Sequence, residues 1–517
     1  MRLSLLVFAM LVLAAACSSP FHAPPKTKAS AGPGAAATAA EPDANRGATP
    51  PPAGRNDQPP PLRREFRGAW VATVDNIDFP SRPGLSALQL RNELDTIVDQ
   101  ARALHLNALV FQVRPAADTF YASPLEPWSE WLTGTQGKAP PNGFDPLAYL
   151  IDRCHKNGIW LHAWFNPYRA SHPAGKSAPA AGHVRTRAQQ IVRTYNKHAW
   201  MDPGEALAAK WSLAVIQDVV RRYDVDGVHI DDYFYPYPDD KRSPFPDDAS
   251  WQKYRADGGK LGRADWRRHN IDDFVQRMYT IVHDEKAWVA VGISPFGIAR
   301  PGMPKGIAAG IDQFDQLYAD VPKWLANGWL DYLSPQLYWP IDRKAQSFAT
   351  LLPWWRSINP RQRAIWPGLA THTIRAGGKD VRASELQDQI GLLRAGDREP
   401  GHVHFSWKHV AANTAQVQGV LRELYREVVL PPAMPWLGES APEPVQAQVS
   451  GRQVTWQADP RTRFVAIQVR DPNGWRTVDV VGGRTAFEVP ATALSVALTA
   501  IGRAGVASAP CVVAVGP

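Results

Sequence analysis

The chain has 517 residues, with 57 Lys and Arg against 49 Asp and Glu, and 44% of its residues are hydrophobic. This composition is typical of a globular protein and excludes a disordered or fibrous chain, and the length predicts two or three folded units. The net charge of +8 is spread along the chain without a long basic run, so it indicates solubility and no nucleic-acid partner. Three cysteines exclude a disulfide scaffold.

The amino terminus has the pattern of an export signal. A basic start precedes the apolar stretch Leu3 to Ala16, which is too short to cross a bilayer. Small residues and Cys17 follow, and this junction resembles a bacterial lipoprotein signal in which the cysteine becomes the lipidated amino terminus. We therefore predict a signal peptide over 1–17, lipidation at Cys17, and, because Ser18 follows, an outer-membrane lipoprotein facing the periplasm. The alternative is a plain secretory signal.

Residues 18–62 are rich in Pro and Ala and show neither helical nor strand periodicity. Such a composition predicts a disordered tether between the lipid anchor and the folded part of the protein.

From residue 63 to 430 the sequence alternates between strand and helix patterns. Strands are predicted at 67–74, 108–114, 159–166, 226–233, 289–294, 332–337, 364–369 and 403–407, and helices lie between them, for example at 86–105, 206–223, 271–284, 321–327 and 384–394. Eight near-continuous apolar strands with helical crossovers predict an α/β fold, a (β/α)8 TIM-like barrel. An open doubly wound sheet is the alternative, but no Gly-rich phosphate turn follows the first strand.

Residues 437–517 have a different pattern of short alternating strands, at 453–457, 466–470, 485–489, 496–500 and 512–515. They predict a small β-sandwich, fibronectin type III-like, which serves as a spacer or docking module. Cys154 and Cys511 are predicted to be free and buried, because they lie in different domains at apolar positions.

In a barrel of this kind the chemistry lies at the carboxyl ends of the strands. Aromatic, amide, guanidinium and carboxylate side chains collect there, and they suit a polyhydroxylated ligand because rings stack on sugar faces while amides and charges bind hydroxyls. The predicted substrate-binding residues are Arg114, Asn166, Tyr168, Arg169, His229, Tyr233, Gln336, Tyr338, Trp339, His372 and Trp407, and Trp128 and Trp164 are further candidates for the cleft.

The fourth strand gives the sharpest pattern, with Asp231 and Asp232 at its end. Strand alternation places His229 and Asp231 toward the barrel interior, and Asp232 outward unless the strand curls at its end. A carboxylate at that mouth can act as nucleophile or stabilise an oxocarbenium-like state. The alternatives are a structural cap and a metal site, although no HxH or HExxH spacing is present.

Five motifs together resemble the glycosyl-hydrolase-like 10 family over residues 63–430. They are Arg67-Gly68-Ala69-Trp70-Val71, Phe111-Gln112-Val113-Arg114-Pro115, Trp164-Phe165-Asn166-Pro167-Tyr168-Arg169, Asp226-Gly227-Val228-His229-Ile230-Asp231-Asp232-Tyr233 and Ser334-Pro335-Gln336-Leu337-Tyr338-Trp339. The resemblance implies an exported bacterial barrel, often a lipoprotein, that hydrolyses glycans. Peptidoglycan is the leading substrate, since the family includes a division-associated glycosidase that cuts strands lacking stem peptides, and envelope or division proteins are possible partners.

The fourth strand is also similar to that of the alpha-amylase family, which puts Asp231 at the nucleophile position and His229 where arginine is expected. A glycosidase usually needs a second carboxyl group as proton donor, and no acid follows the fifth strand. Asp232 is the nearest candidate, and Asp118, Asp315, Asp320 and Asp342 lie in loops.

Three functions remain open: a peptidoglycan glycosidase or lytic transglycosylase without metal or cofactor, a hydrolase of another extracellular polysaccharide, and a non-catalytic glycan-binding scaffold.

Overall fold

The computed structural model describes residues 58–374, 382–397, 399–413 and 416–515. From Pro59 onward the chain forms one compact unit. The predicted signal with Cys17, and the predicted tether as far as residue 57, lie outside the described residues. Within the described ranges no helix is long and apolar enough to span a membrane.

A curled parallel sheet lies at the centre of the fold. The strands of this part of the chain, in chain order, are β1 (Phe66–Val71), β2 (Ala108–Arg114), β3 (Trp160–Phe165), β4 (Val192–Tyr195), β5 (His198–Met201), β6 (Gly227–Ile230), β7 (Ala290–Ile293), β8 (Tyr332–Leu333), β9 (Ala364–Ile365), β10 (Gly368–Leu369) and β11 (Gly401–His404). Nine of them pair in the order β10-β11-β1-β2-β3-β6-β7-β8-β9, while β4 and β5 form a separate hairpin. The prediction of a parallel sheet is confirmed.

The two ends of that order belong to one segment of the chain. Strand β9 pairs with β8 and strand β10 pairs with β11, so residues 364–369 connect the first edge of the curled sheet to its last. Pro367 lies between the two short strands and has no N–H to donate, which interrupts the ladder and divides the predicted seventh strand in two.

Helices fill most of the connections between the parallel strands. They are α1 (Ala87–Ala103), α2 (Glu130–Thr133), α3 (Pro146–Lys156), α4 (Val184–Arg187), α5 (Ala206–Arg222), α6 (Asp248–Ala256), α7 (Arg263–Glu285), α8 (Gln313–Gln316), α9 (Val321–Asn327), α10 (Phe348–Ser357), α11 (Ala383–Ala395), α12 (Trp407–Ala411) and α13 (Val417–Leu424). Helix α1 illustrates the local signals, because Ser86 and Gln89 form a reciprocal capping box at its start. Its buried side chains recur every three or four residues and pack on the sheet.

Large rings fill the interior of the curled sheet, and glycines on neighbouring strands make room for them. A Cβ on Gly292 would lie 1.9 Å from the ring of Tyr332, and one on Gly227 would lie 2.7 Å from the imidazole of His162. The interior is therefore filled by side chains and is a packed core.

The carboxyl-terminal part consists of two antiparallel sheets. Its strands are β12 (Gln446–Ser450), β13 (Gln453–Gln457), β14 (Phe464–Asp471), β15 (Gly474–Val481), β16 (Ala486–Glu488), β17 (Ser495–Ile501) and β18 (Cys511–Ala514). They pair as β12-β13-β16 and as β15-β14-β17-β18. The fibronectin type III-like assignment stays a prediction. Cys154 is buried and Cys511 half-buried, and both thiols are free.

The floor of the curled sheet and the carboxyl-terminal sheets share one hydrophobic cluster. Phe66 and Trp160, at the amino ends of β1 and β3, belong to the same cluster as Phe464 and Val480 of the carboxyl-terminal part. Arg463 reinforces this junction, because its guanidinium lies 2.8 Å from Asp224 and 3.2 Å from Asp226, just before β6. The predicted boundary between 430 and 437 thus separates two strand patterns, whereas the packing is continuous.

Candidate active site

The strand register brings the candidate residues to one edge of the sheet. Phe165 at the end of β3 pairs with Ile230 at the end of β6, which in turn pairs with Ile293 at the end of β7. The residues that follow these strand ends, among them Asn166 and Asp231, therefore meet at the carboxyl edge, where parallel α/β barrels carry their chemistry.

Asp231 is held by donors from β3. Its Oδ2 accepts a hydrogen bond from Asn166 Nδ2 at 2.5 Å and from Trp164 Nε1 at 3.2 Å. Among the described residues, its Oδ1 accepts one long hydrogen bond, at 3.4 Å, from the backbone N–H of Tyr233. One carboxylate oxygen thus accepts two hydrogen bonds, and the other accepts one weak hydrogen bond.

Asp232 also turns into the site, because strand β6 ends at Ile230 and the chain bends directly after it. The Tyr237 hydroxyl donates to Asp232 Oδ2, and the side chain of Gln336 is a second hydrogen-bond partner. Gln336 also donates to the backbone oxygen of Ser294, at 3.0 Å, after β7. The strand therefore curls at its end and turns Asp232 into the site, which is the alternative that the sequence left open.

The two carboxyl groups are buried side by side, with 4% of Asp231 and 3% of Asp232 exposed. Burial raises the pKa of both groups, and the charge of Asp232 raises the pKa of Asp231 further, while Arg169 and the Asn166 hydrogen bond lower it. Burial and mutual repulsion therefore disfavour the doubly ionised pair relative to the form that keeps one proton.

Half-buried rings follow the strand ends at the same edge of the sheet as this pair. They belong to Tyr233, Tyr237, Phe296, Tyr338, Trp339, His372 and Phe405, and we call this set the aromatic collar. Tyr338 lies edge-on to His372 with ring centroids 5.4 Å apart, and Phe296 lies edge-on to Trp339 at 5.6 Å. Rings that pack on one another while keeping an open face can stack on the apolar faces of sugar rings.

Arg169 links the pair to the collar. Its guanidinium lies 5.1 Å from the centre of the Tyr233 ring and donates to Asn166 Oδ1 at 2.8 Å. Because it is buried beside both carboxyl groups, it supplies the positive charge that partly offsets their repulsion.

Two predicted substrate-binding residues lie below the rim. Arg114 is fully buried in a bidentate pair with Glu126, at 2.6 and 2.7 Å. His229 is fully buried inside the curled sheet, where it bonds to Trp70 and Tyr332, and burial lowers its pKa so that it stays neutral. In the described parts of the chain, no three His, Cys, Asp or Glu side chains are grouped to hold a metal ion.

Two more lie within the packing. Tyr168 is fully buried against Phe274, with ring centroids 5.3 Å apart. Trp407 begins helix α12 and is buried in the main hydrophobic core. The structure thus brings seven of the predicted residues to the carboxyl edge and places Tyr168 and Trp407 among the core side chains; the seven are Asn166, Arg169, Tyr233, Gln336, Tyr338, Trp339 and His372.

The loop acids have other surroundings. Asp118 is buried and accepts from Gln136, and burial raises its pKa to about 6. Asp315 is exposed and ion-paired, Asp320 caps helix α9, and Asp342 is exposed. Of the acids considered from the sequence, Asp232 is therefore the one that lies beside Asp231.

Four residues of the site were not among the predicted ones: Gln112, and Tyr237, Phe296 and Phe405 of the aromatic collar. Tyr237 contacts Asp232, and the aromatic run from Tyr233 to Tyr237 was the available signal for it. Gln112 was quoted in a motif without a role; it donates to Asn166 Oδ1 at 2.6 Å.

A curled parallel sheet that carries two buried carboxyl groups beneath aromatic rings at its carboxyl edge is the arrangement of a glycoside hydrolase. The comparisons with known proteins agree with this class. The chain belongs to the family described as Glycosyl hydrolase-like 10, whose profile matches residues 65–382. The resemblance seen in the motifs is confirmed, and the protein is a glycoside hydrolase.

Named relatives are similar over most of their length. The chain is 37% identical over 390 residues to "Glycosyl hydrolase YngK" of Bacillus subtilis (strain 168), which covers 74% of this chain and 76% of that protein. It is 31% identical over 368 residues to "Glycosyl hydrolase DigH" of Escherichia coli (strain K12), covering 66% and 82%. Among solved structures, the PgaB (BpsB) glycoside hydrolase domain from Bordetella bronchiseptica matches with a TM-score of 0.47 at 13% identity, covering 71% of this chain and 99% of that one.

Proposed function

We propose that this protein hydrolyses glycan strands of the cell envelope, with peptidoglycan as its substrate. The observation that carries the proposal is the buried pair of Asp231 and Asp232 at the carboxyl edge of the sheet, beneath the aromatic collar. A pair of carboxyl groups supplies the two functions that glycosidic cleavage requires, a proton for the leaving oxygen and a negative charge opposite the developing oxocarbenium ion.

The hydrogen bonds distinguish the two members of the pair. Asp231 accepts from Trp164 and Asn166, whose N–H groups can only donate, and such donors favour the ionised carboxylate. Asp232 faces the hydroxyl of Tyr237, which can donate to a carboxylate or accept from a carboxylic acid. We therefore assign the negative charge to Asp231, as nucleophile or electrostatic stabiliser, and the shared proton to Asp232, as general acid.

The collar provides the binding surface. The half-buried rings of Tyr338, Trp339 and His372 would stack on sugars, and the Gln336 side chain, which hydrogen-bonds to Asp232, would bind a hydroxyl. A row of rings suits a chain of sugars better than a single one, which supports a polymeric glycan as substrate.

The cellular location is a second part of the proposal. The junction at Cys17 resembles a lipoprotein signal, which supports lipidation there and an outer-membrane anchor facing the periplasm, close to the peptidoglycan and to envelope or division proteins. Wild-type protein should fractionate with the outer membrane, and Cys17→Ala should shift it to the soluble fraction with unchanged melting temperature. Soluble wild-type protein would contradict the anchor.

The substrate is tested by digestion of purified glycan strands, prepared with and without stem peptides, followed by mass analysis of the products. The proposal expects shortened strands with reducing ends that carry one added water. Products with anhydro ends would show that the enzyme is a lytic transglycosylase and not a hydrolase. Intact strands together with cleavage of another envelope polysaccharide would overturn the peptidoglycan assignment, and binding without any cleavage would leave only the scaffold.

A further inference from the structure

A chain of side-chain amides runs across three strand ends beneath Asp231. It begins at the backbone N–H groups of Thr73 and Val74, which follow β1 and donate to Gln112 Oε1 at 2.8 and 2.9 Å. Backbone N–H groups can only donate, so they fix which end of the Gln112 amide is the oxygen. Gln112 Nε2 must then be the donor to Asn166 Oδ1, at 2.6 Å.

The second amide is fixed from two directions. Asn166 Oδ1 accepts from Gln112 and also from Arg169 at 2.8 Å, and a guanidinium has no acceptor. Asn166 Nδ2 is therefore the atom that faces Asp231 Oδ2. The orientation set by the backbone after β1 is thus passed, through two amides, to one oxygen of a carboxylate after β6.

Burial protects the hydrogen bonds of these two amides from exchange with water. Gln112 and Asn166 are both 0% exposed, so water does not compete for their donors and acceptors. Asp231 Oδ2 receives two N–H groups, from Asn166 and Trp164, and has little capacity left for a proton, whereas Oδ1 has only its long backbone contact.

We propose that Gln112 and Asn166 are positioning residues that hold Asp231 Oδ2 and present Oδ1 as the atom that faces the substrate. This inference rests on the proposed catalytic role of Asp231, and it gives Asn166 a task other than the sugar binding predicted from the sequence. A chain that only ties strands together would contribute stability alone, whereas a positioning chain also sets the protonation of Asp231.

The test is Gln112→Glu, which keeps an oxygen for the two backbone N–H groups and replaces the Nε2 donor by a second oxygen. That oxygen repels Asn166 Oδ1, and its negative charge lies one amide away from Asp231. We expect kcat on glycan strands to fall on the order of 100-fold from misplacement, and the acid limb of the pH profile of kcat/KM to move to higher pH.

The matched control is Gln468→Glu, the same change at a buried glutamine in β14, which donates to Pro60 O at 3.0 Å. It should leave the acid limb unchanged.

If Gln112→Glu does not fold, Asn166→Asp is the second test variant, because it keeps Oδ1 for Gln112 and Arg169 and faces Asp231 with an oxygen. The acid limb of its pH profile should again move to higher pH. A variant with wild-type kcat and an unmoved acid limb would overturn the positioning role. If the wild-type protein itself did not cleave glycan strands, the proposed function would be overturned instead.

Discussion

Phe464→Ala tests whether the carboxyl-terminal sheets are part of the catalytic unit. Phe464 begins β14, is 1% exposed, and belongs to the cluster that contains the floor residues of the curled sheet. Its ring also lies edge-on to His155 of helix α3, with centroids 6.3 Å apart. Removing a buried phenylalanine costs about 3–5 kcal/mol through lost burial and the cavity left behind.

That loss is a large part of the roughly 5–15 kcal/mol that stabilises a typical fold, so the variant should unfold at a much lower urea concentration. Tryptophan fluorescence reports on the sheet and its helices, because 17 of the 20 tryptophans lie between Trp70 and Trp407. Although Phe464 lies in the carboxyl-terminal part, its loss should lower the urea midpoint seen by this fluorescence. The whole molecule should still unfold in a single transition.

The control is Phe487→Ala, in β16, which packs against the carboxyl-terminal core away from the floor. It should lower the stability less, because Phe487 is only partly buried. If the free energy of unfolding that fluorescence reports for Phe464→Ala stayed within about 0.5 kcal/mol of wild type, the value typical of neutral surface changes, the shared core would be refuted and the carboxyl-terminal part would be an independent module.

Three further outcomes are expected. Glu126→Gln leaves the Arg114 charge buried without its partner and should cost about 3–5 kcal/mol, with little dependence on salt because both side chains are fully buried; a melting temperature that recovers in salt would contradict this. Gly292→Ala forces a methyl group into the ring of Tyr332 and should cost about 3 kcal/mol or more, whereas Gly391→Ala in helix α11, with nothing within 4 Å, should be neutral or stabilising; equal melting temperatures would refute the packing argument. Because burial raises the pKa of both Asp231 and Asp232, the contribution of the pair to stability is full below the ordinary carboxyl pKa and is lost as pH rises through the raised values. Asp231→Asn should therefore gain melting temperature relative to wild type between pH 4 and pH 8, and a difference independent of pH would exclude the shift.

Strong local periodicity made part of the fold predictable. Helix α9 occupies the predicted residues 321–327, bounded by its Asp320 cap and by Gly328 in the left-handed conformation. Helix α7 begins at Arg263, eight residues before the predicted 271, because its first turns are mostly polar and carry little apolar signal.

The site was predictable where one strand carried it, and less so where several strands meet. Asp231 and Asp232 end an apolar strand and were found for that reason. Arg114 ends its strand too, but the register between β2 and β3 is irregular after Gln112, and the arginine turns toward Glu126. Strand alternation does not extend past such a bulge, so it could not place this side chain.

Gln112 shows a different limit. A glutamine inside an apolar strand looks the same in the sequence whether it packs, binds a ligand or orients a neighbour. Its role depends on the N–H groups of Thr73 and Val74 and on Asn166, which lie at least 38 residues away in the chain.

The central claim is that Asp231 carries the charge needed for glycosidic cleavage, and turnover of Asp231→Asn on purified glycan strands tests it most directly. The matched control is Asp118→Asn, a change at another buried carboxyl group with a raised pKa, which lies outside the pair. With both variants folded by circular dichroism, the account predicts a loss of several orders of magnitude for Asp231→Asn, with strand binding retained, and near-wild-type turnover for Asp118→Asn. Near-wild-type turnover of Asp231→Asn would contradict the account.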